Sequence, residues 1–146
     1  MSQKIPKTIF VVLFFFFSSI FTYAQDYDSE LSKAKKEDKP VILYFYSRYC
    51  PICDLMERNV ILDKTVKKIL DRDVVFVWVD GEKRKDLVKA HGVWGFPTVL
   101  LLEPEGKRIA ILPGYVHKEI FLKVLNYLKG KHYKKIPLKE YLAKKG

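Results

Sequence analysis

Residues 41–56 are Val41-Ile42-Leu43-Tyr44-Phe45-Tyr46-Ser47-Arg48-Tyr49-Cys50-Pro51-Ile52-Cys53-Asp54-Leu55-Met56, and the predicted fold is arranged around them. The first six residues form a continuous apolar run, which is typical of a strand covered on both faces. Pro51 suits the first turn of a helix, because its missing N–H would find no helical partner there. The stretch therefore predicts a buried strand that leads through a short loop into a helix.

The two cysteines of this stretch, Cys50 and Cys53, are the only ones in the chain. A helix N-terminus carries partial positive charge, so we expect it to stabilise the thiolate of Cys50. A passive disulfide would stabilise the fold only weakly, because closing so short a loop removes little chain entropy. The spacing and position therefore favour a pair that cycles between dithiol and disulfide.

The remaining sequence predicts alternating helices and strands. A leading helix precedes the first strand, and helices flank a second apolar strand, which indicates a parallel pair. The turn Pro104-Glu105-Gly106-Lys107 predicts a hairpin between two further strands. The order of these elements predicts an α/β fold with a mixed sheet and helices on both faces. The predicted helices cover residues 28–36, 63–70, 83–90 and 117–128. The predicted strands cover residues 41–46, 74–79, 98–102 and 108–112.

This order resembles the thioredoxin fold, with the Cys50-Pro51-Ile52-Cys53 motif after the first strand and Gly95-Phe96-Pro97-Thr98 before the third. Gly114 also falls where the family has a glycine near its active site. The resemblance extends from about Pro40 to Gly130. Within the family, the sequence around the cysteines is similar to that of the exported thioredoxin-related proteins. The resemblance implies a three-layer α/β/α domain with a central mixed four-stranded sheet.

The resemblance also implies roles for individual residues. Cys50 would be the exposed nucleophile and Cys53 the resolving thiol. The peptide bond before Pro97 would be cis, and the backbone of Phe96 would pair with an extended substrate segment. The resulting candidate substrate-binding residues are Tyr49, Pro51, Phe96, Pro97 and Gly114.

The chain departs from the family at the position six residues before the first cysteine. Thioredoxins bury an aspartate there, and this chain has Tyr44, while Phe76 replaces the lysine that partners this aspartate. The usual proton acceptor for the resolving thiol is therefore missing. Solvent water and Glu57, four residues beyond Cys53, are the candidates to replace it.

The N-terminus has the pattern of a secretory signal. Lys4 and Lys7 precede an apolar run that extends to about Phe21, and small residues follow at the positions that a signal peptidase reads. We predict a signal peptide over 1–24, cleaved after Ala24, and a location in the periplasm or outside the cell. An uncleaved membrane anchor is the alternative, although the run is shorter than the ~20 residues that span a bilayer. The thioredoxin-like domain would then occupy residues 25–130.

The chain is strongly basic, with a formal net charge of +10, and lysines are frequent in its last residues. Residues 131–146 are predicted to be a basic C-terminal extension, either docked as a short helix or loose. No nucleic-acid-binding motif accompanies these charges, so we expect a solvated lysine-rich surface, no nucleic-acid partner and membrane contact only through the signal peptide. We also expect a monomer.

The sequence thus predicts an exported thiol–disulfide oxidoreductase that reduces disulfides in extracytoplasmic proteins and needs no cofactor. Its partners would be these disulfide-containing proteins and an upstream electron-donor protein, such as a membrane disulfide reductase. The alternatives are an oxidant or isomerase of disulfides, a copper(I)-binding metallochaperone that uses the two thiolates, and a binding module without catalytic activity. We predict no other metal site, because His91, His117 and His132 show no ligand spacing.

Overall fold

The structure is a computed structural model that describes residues 27–144. The predicted signal peptide, residues 1–24, lies outside the described residues. In chain order the elements are helix α1 (Tyr27–Glu37), strand β1 (Val41–Tyr46), helix α2 (Pro51–Met56), a π-helical turn (Glu57–Ile61), helix α3 (Lys64–Asp73), strand β2 (Val75–Asp80), helix α4 (Lys85–His91), strand β3 (Thr98–Leu102), strand β4 (Arg108–Pro113), helix α5 (Lys118–Lys129), a 3₁₀ turn (His132–Lys134) and helix α6 (Leu138–Ala143).

The four strands form one mixed sheet in the order β2-β1-β3-β4. β1 pairs in parallel with β2 and antiparallel with β3, and β3 pairs antiparallel with β4. At one edge of the sheet Tyr46 of β1 lies opposite Asp80 of β2, and Phe45 lies opposite Thr98 of β3. The loops that follow β1 and β2 and the loop that precedes β3 therefore meet at this edge.

Helices cover both faces of the sheet, because β1 is apolar on both sides. Ile42 and Tyr44 lie in the core beneath α2, α3, α5 and α6. Leu43 and Phe45 lie in the opposite core, to which α1 contributes Ala34 and α4 contributes Leu87. This three-layer α/β/α arrangement around a mixed four-stranded sheet confirms the predicted fold class.

Most element boundaries lie within two residues of the prediction, but the segment after the cysteines differs. The helix that begins at Pro51 ends at Met56 and continues as a π-helical turn. In this turn Val60 and Ile61 are buried, although they are adjacent in sequence. Both apolar side chains belong to the core that covers Ile42 and Tyr44, and the change from an α-helix to a π-helical turn is a feature that the sequence pattern does not predict.

The C-terminal segment packs against α5. The Tyr127 hydroxyl donates to the carbonyl oxygen of Ile136 over 2.8 Å. Leu138, at the start of α6, is only 6% exposed and belongs to the core that covers Tyr127. Lys131 forms an ion pair with Asp38, just after α1. Residues 138–143 of the predicted extension thus form a helix that packs against this core.

Docking of α6 predicts a measurable contribution from Leu138 to stability. Leu138→Ala removes a buried side chain and leaves a cavity, so we expect the free energy of unfolding to fall by about 2 kcal/mol in urea titrations. The matched control is Lys139→Ala, at the adjacent exposed position, which should change it by less than about 0.5 kcal/mol. Equal stability of Leu138→Ala and the unmodified chain would show that this helix does not contribute to folding.

Candidate active site

The cysteine loop begins at the carboxyl end of β1 and is held by backbone hydrogen bonds. The Cys50 N–H donates to the carbonyl oxygen of Ser47 over 3.2 Å. Cys50 is the N-cap of α2, with an extended backbone, and its sulfur accepts from the Cys53 N–H over 3.2 Å. The sequence forms this turn because Pro51 begins the helix without needing a backbone acceptor.

The two sulfurs are joined in a disulfide, with the Cα atoms 5.2 Å apart. Their surroundings differ: Cys53 is 1% exposed, whereas Cys50 is only partly buried. A sulfur atom from another molecule can therefore reach Cys50 but not Cys53. This geometry suits exchange of a disulfide through Cys50, with Cys53 as the internal partner.

The loop before β3 lies against Cys50. The Phe96–Pro97 peptide bond is cis, and the Phe96 carbonyl oxygen is 3.5 Å from the Cys50 sulfur. In the disulfide this is a van der Waals contact, since the sulfur carries no hydrogen; in the dithiol the Cys50 S–H can donate to the same oxygen. The Gly114 N–H donates to the Pro97 carbonyl oxygen over 2.8 Å, and Gly114 has a φ of 82°, which favours glycine.

The predicted substrate-binding residues differ in their accessibility. Tyr49 is 87% exposed, and Pro51 is also exposed. Phe96 and Gly114 are half-buried, and Pro97 is buried. Trp94, in the same loop as Phe96, is 99% exposed. The structure brings Phe96, Pro97 and Gly114 together beside Cys50, and their roles in binding stay predictions.

Tyr44 and Glu57 lie beneath Cys53. The buried Tyr44 hydroxyl donates to the carbonyl oxygen of Cys53 over 3.4 Å, and the Glu57 carboxylate lies near the same hydroxyl. Burial, and then the charge of Glu57, raise the pKa of Tyr44 far above its usual range. Burial and the nearby Asp54 carboxylate raise the pKa of Glu57. Glu57, one of the two predicted proton acceptors, therefore lies beside a hydroxyl that contacts the backbone of Cys53.

A polar network behind the cysteine loop was not predicted from the sequence. Ser47 donates to Glu82 over 3.0 Å, and the Arg48 guanidinium lies 3.3 Å from the Asp80 carboxylate. Ser47 also accepts from the Tyr49 N–H over 3.3 Å. The signal was available, because Ser47 and Asp80 stand at the carboxyl ends of two strands predicted to be parallel. Such ends meet at one edge of a sheet, where sites of α/β proteins form.

The three histidines lie apart from one another and contact aromatic residues. His91 is hydrogen-bonded to the Tyr27 hydroxyl over 3.1 Å, and burial lowers its pKa. The rings of His117 and His132 lie 5.0 Å from the rings of Tyr115 and Tyr141, respectively. Within residues 27–144 no group of three or more His, Cys, Asp or Glu side chains is arranged to hold a metal ion.

Comparison with known proteins places these features in a family. A family model described as thioredoxin-like domain matches residues 27–129. The chain belongs to this family. The match includes the cysteine loop, the Phe96–Pro97 loop and all four strands of the thioredoxin-like sheet.

Two relatives illustrate the sequence similarity of this thioredoxin-like chain. A thioredoxin from Borreliella burgdorferi is 28% identical over 101 residues, which are 68% of this chain and 82% of the relative. The thiol:disulfide interchange protein DsbD of Neisseria meningitidis is 30% identical over 88 residues, 58% of this chain but only 15% of DsbD. The chain therefore corresponds to a small part of DsbD.

Solved structures agree with the sequence comparisons. A thioredoxin from Thermus thermophilus has a TM-score of 0.62 and 28% identity, with 68% of this chain and 81% of that chain covered. The reduced C-terminal domain of Neisseria meningitidis DsbD has a TM-score of 0.59 and 27% identity, with 69% and 92% covered. With the Cys50–Cys53 pair, these similarities identify a thioredoxin-like thiol–disulfide oxidoreductase and do not favour the copper alternative.

The raised pKa of Glu57 predicts a pH-dependent stability difference. The folded protein disfavours the charged form of Glu57. The contribution of Glu57 to the free energy of unfolding is therefore fully present below the pKa of Glu57 in the unfolded chain, and it is lost as the pH rises through the pKa in the folded protein. Glutamine does not ionise, so the stability of Glu57→Gln does not fall in this way as the pH rises. We therefore expect Glu57→Gln to gain stability relative to the unmodified chain between about pH 4 and pH 7, measured by urea unfolding of the disulfide form.

The control for this comparison is Glu105→Gln, which removes one negative charge at an exposed turn. Its difference from the unmodified chain should vary less with pH than that of Glu57→Gln. A pH-independent difference for Glu57→Gln would contradict the raised pKa of this carboxyl.

Proposed function

We propose that this protein is exported and reduces disulfides in extracytoplasmic partner proteins through a Cys50/Cys53 dithiol–disulfide cycle. The observation that carries the proposal is the unequal burial of the two sulfurs, with the Phe96 backbone against the accessible one. This arrangement supports an ordered exchange that begins at Cys50. The similarity to thioredoxins and to DsbD supports the same class of chemistry.

The proposed reaction moves two electrons to the partner. The Cys50 thiolate attacks one sulfur of the partner disulfide, the partner S–S bond breaks, and the leaving thiolate takes a proton from water. The product is a mixed disulfide between Cys50 and the partner. Cys53 then loses its proton and attacks the Cys50 sulfur, which releases the second partner thiolate and forms the Cys50–Cys53 disulfide.

Groups of this chain and solvent water assist the proposed steps. The backbone of Phe96 binds an extended partner segment next to the attacked disulfide. Water or Glu57 accepts the proton of Cys53, and the Tyr44 hydroxyl holds the backbone of Cys53 beside the Glu57 carboxylate. Another dithiol protein, such as a membrane disulfide reductase, returns the Cys50–Cys53 disulfide to the dithiol.

The proposed location depends on the N-terminal sequence. The charged, apolar and small residues of positions 1–24 support export with removal of a signal peptide after Ala24. Residues 27–144, the part that the structure describes, include no helix long and apolar enough to cross a membrane. The proposed exported form therefore consists of the thioredoxin-like domain over 25–130 and the extension over 131–146.

Trapping of mixed disulfides tests the proposal directly. Cys53→Ser leaves the nucleophile but removes the resolving thiol, so Cys50 should accumulate covalent adducts with partner proteins that dithiothreitol releases. The matched control, Cys50→Ser combined with Cys53→Ser, should capture none. Mass spectrometry of an exported fraction identifies the adducts, and absence of adducts with Cys53→Ser would contradict the proposed reaction.

The exposed Trp94 predicts a contact with protein substrates but not with small thiols. Trp94→Ser should raise the KM for reduction of insulin about fivefold, the loss of roughly 1 kcal/mol of binding, because an aromatic contact is removed. Reduction of the Cys50–Cys53 disulfide by dithiothreitol should not change. Leu62→Ser is the control, since Leu62 is an exposed apolar residue beside Phe76 and Trp78. An unchanged KM in Trp94→Ser would exclude this contact.

A further inference from the structure

The turn after β2 contains a glycine that has no room for a side chain. Gly81 is buried, and a Cβ atom at this position would overlap the ring of Phe96. The three atoms nearest to that Cβ all belong to this ring, the third of them at 3.1 Å. Gly81 is not among the glycines with positive φ. A side chain at position 81 would therefore have to displace the ring of Phe96, so the constraint on this position is space and not backbone conformation.

The ring and the backbone of Phe96 face different surroundings. The half-buried ring packs against the core cluster that includes Leu87 and Val93. The carbonyl oxygen of the same residue is 3.5 Å from the Cys50 sulfur. Phe96 therefore contacts the turn at Gly81 through its ring and Cys50 through its backbone.

The same turn is attached to the cysteine loop. The Gly81 N–H donates to the carbonyl oxygen of Tyr46 over 2.8 Å, at the end of β1. On either side of Gly81, Asp80 contacts Arg48 and Glu82 accepts from Ser47. The turn thus contacts the cysteine loop through hydrogen bonds and an ion pair, and it contacts the ring of Phe96 at Gly81.

We infer that Gly81 is a positioning residue for disulfide exchange with protein substrates, because its missing side chain lets the Phe96 ring seat against the turn and sets the Phe96 backbone beside Cys50. The inference rests on the proposed function. A side chain at position 81 would displace the ring and shift the backbone that binds an extended partner segment. The three atoms nearest to the added Cβ belong to the Phe96 ring and not to a cysteine, so we expect reaction of the disulfide with a small thiol to change less than reaction with a protein partner.

Gly81→Ala tests the inference through two measurements, the KM for reduction of insulin and the rate of reaction with dithiothreitol. We expect the KM for insulin reduction to rise about tenfold, since a small misplacement of a binding group has effects of this order or larger. The rate of reduction of the Cys50–Cys53 disulfide by dithiothreitol should stay within about twofold. A substitution that only weakened the fold would affect the reaction with insulin and the reaction with dithiothreitol alike. Lys83→Ala, at an exposed position of the same loop, is the control and should change neither.

A second substitution tests the steric cause. Leucine at position 96 lacks the outer ring atoms that the new Cβ would meet, so Gly81→Ala combined with Phe96→Leu should have the same KM as Phe96→Leu alone, within about twofold. If Gly81→Ala does not fold, folding of the double variant with this KM supports the inference equally. Failure of the double variant to fold would overturn it, because the requirement for glycine would then not involve Phe96.

The remaining outcomes are also decisive. An unchanged KM in Gly81→Ala, an equal loss in the insulin and dithiothreitol reactions, or a double variant whose KM exceeds that of Phe96→Leu by more than about twofold would each overturn the inference. Absence of insulin reduction by the unmodified chain would instead count against the proposed function. The coupling of Gly81 and Phe96 would still be measured by the unfolding free energies of the four variants, where additive losses would refute it.

Discussion

The parallel pairing of β1 with β2 is the constraint on which the site depends. It brings Tyr46 and Asp80 side by side, so that the loops beyond them leave the sheet at one edge. The antiparallel pairing of β1 with β3 places Thr98, and hence the cis Pro97, at the same edge. Three segments that are distant in sequence therefore meet around Cys50. A shift of the β1–β3 pairing by one residue would move the Phe96 carbonyl away from the cysteine loop, and a shift of the β1–β2 pairing would move Asp80 away from that loop.

Unequal burial makes the two chemically identical sulfurs differ in accessibility. Cys53 lies at the inner side of the first turn of α2 and is covered by the core, whereas Cys50 is at the N-cap and remains reachable. An incoming sulfur can therefore approach only one end of the disulfide. In the proposed reaction, this geometry sets the order of the exchange steps without an additional residue to enforce it.

Much of the fold could be predicted because its signals are local. The continuous apolar strands, the turn residues and the spacing of Cys50 and Cys53 each specify a structure over a few residues. The docking of α6 and the contact between Gly81 and Phe96 could not be predicted in this way. Both depend on which surfaces the folded chain brings together, and a glycine that is required for space has the same appearance in a sequence as one required for a turn.

The substitution of Tyr44 for an acid has a consequence for the electrostatics of the site. A deeply buried carboxylate would interact with Cys53 through protein and be shielded from dissolved ions. Here the carboxyl group proposed to accept the proton of Cys53 is that of the half-buried Glu57, which solvent can reach. Charges of this kind are screened at high ionic strength, where the Debye length falls to about 3 Å at 1 M salt. The resolving half of the exchange should accordingly respond to salt more than it would with an enclosed acid.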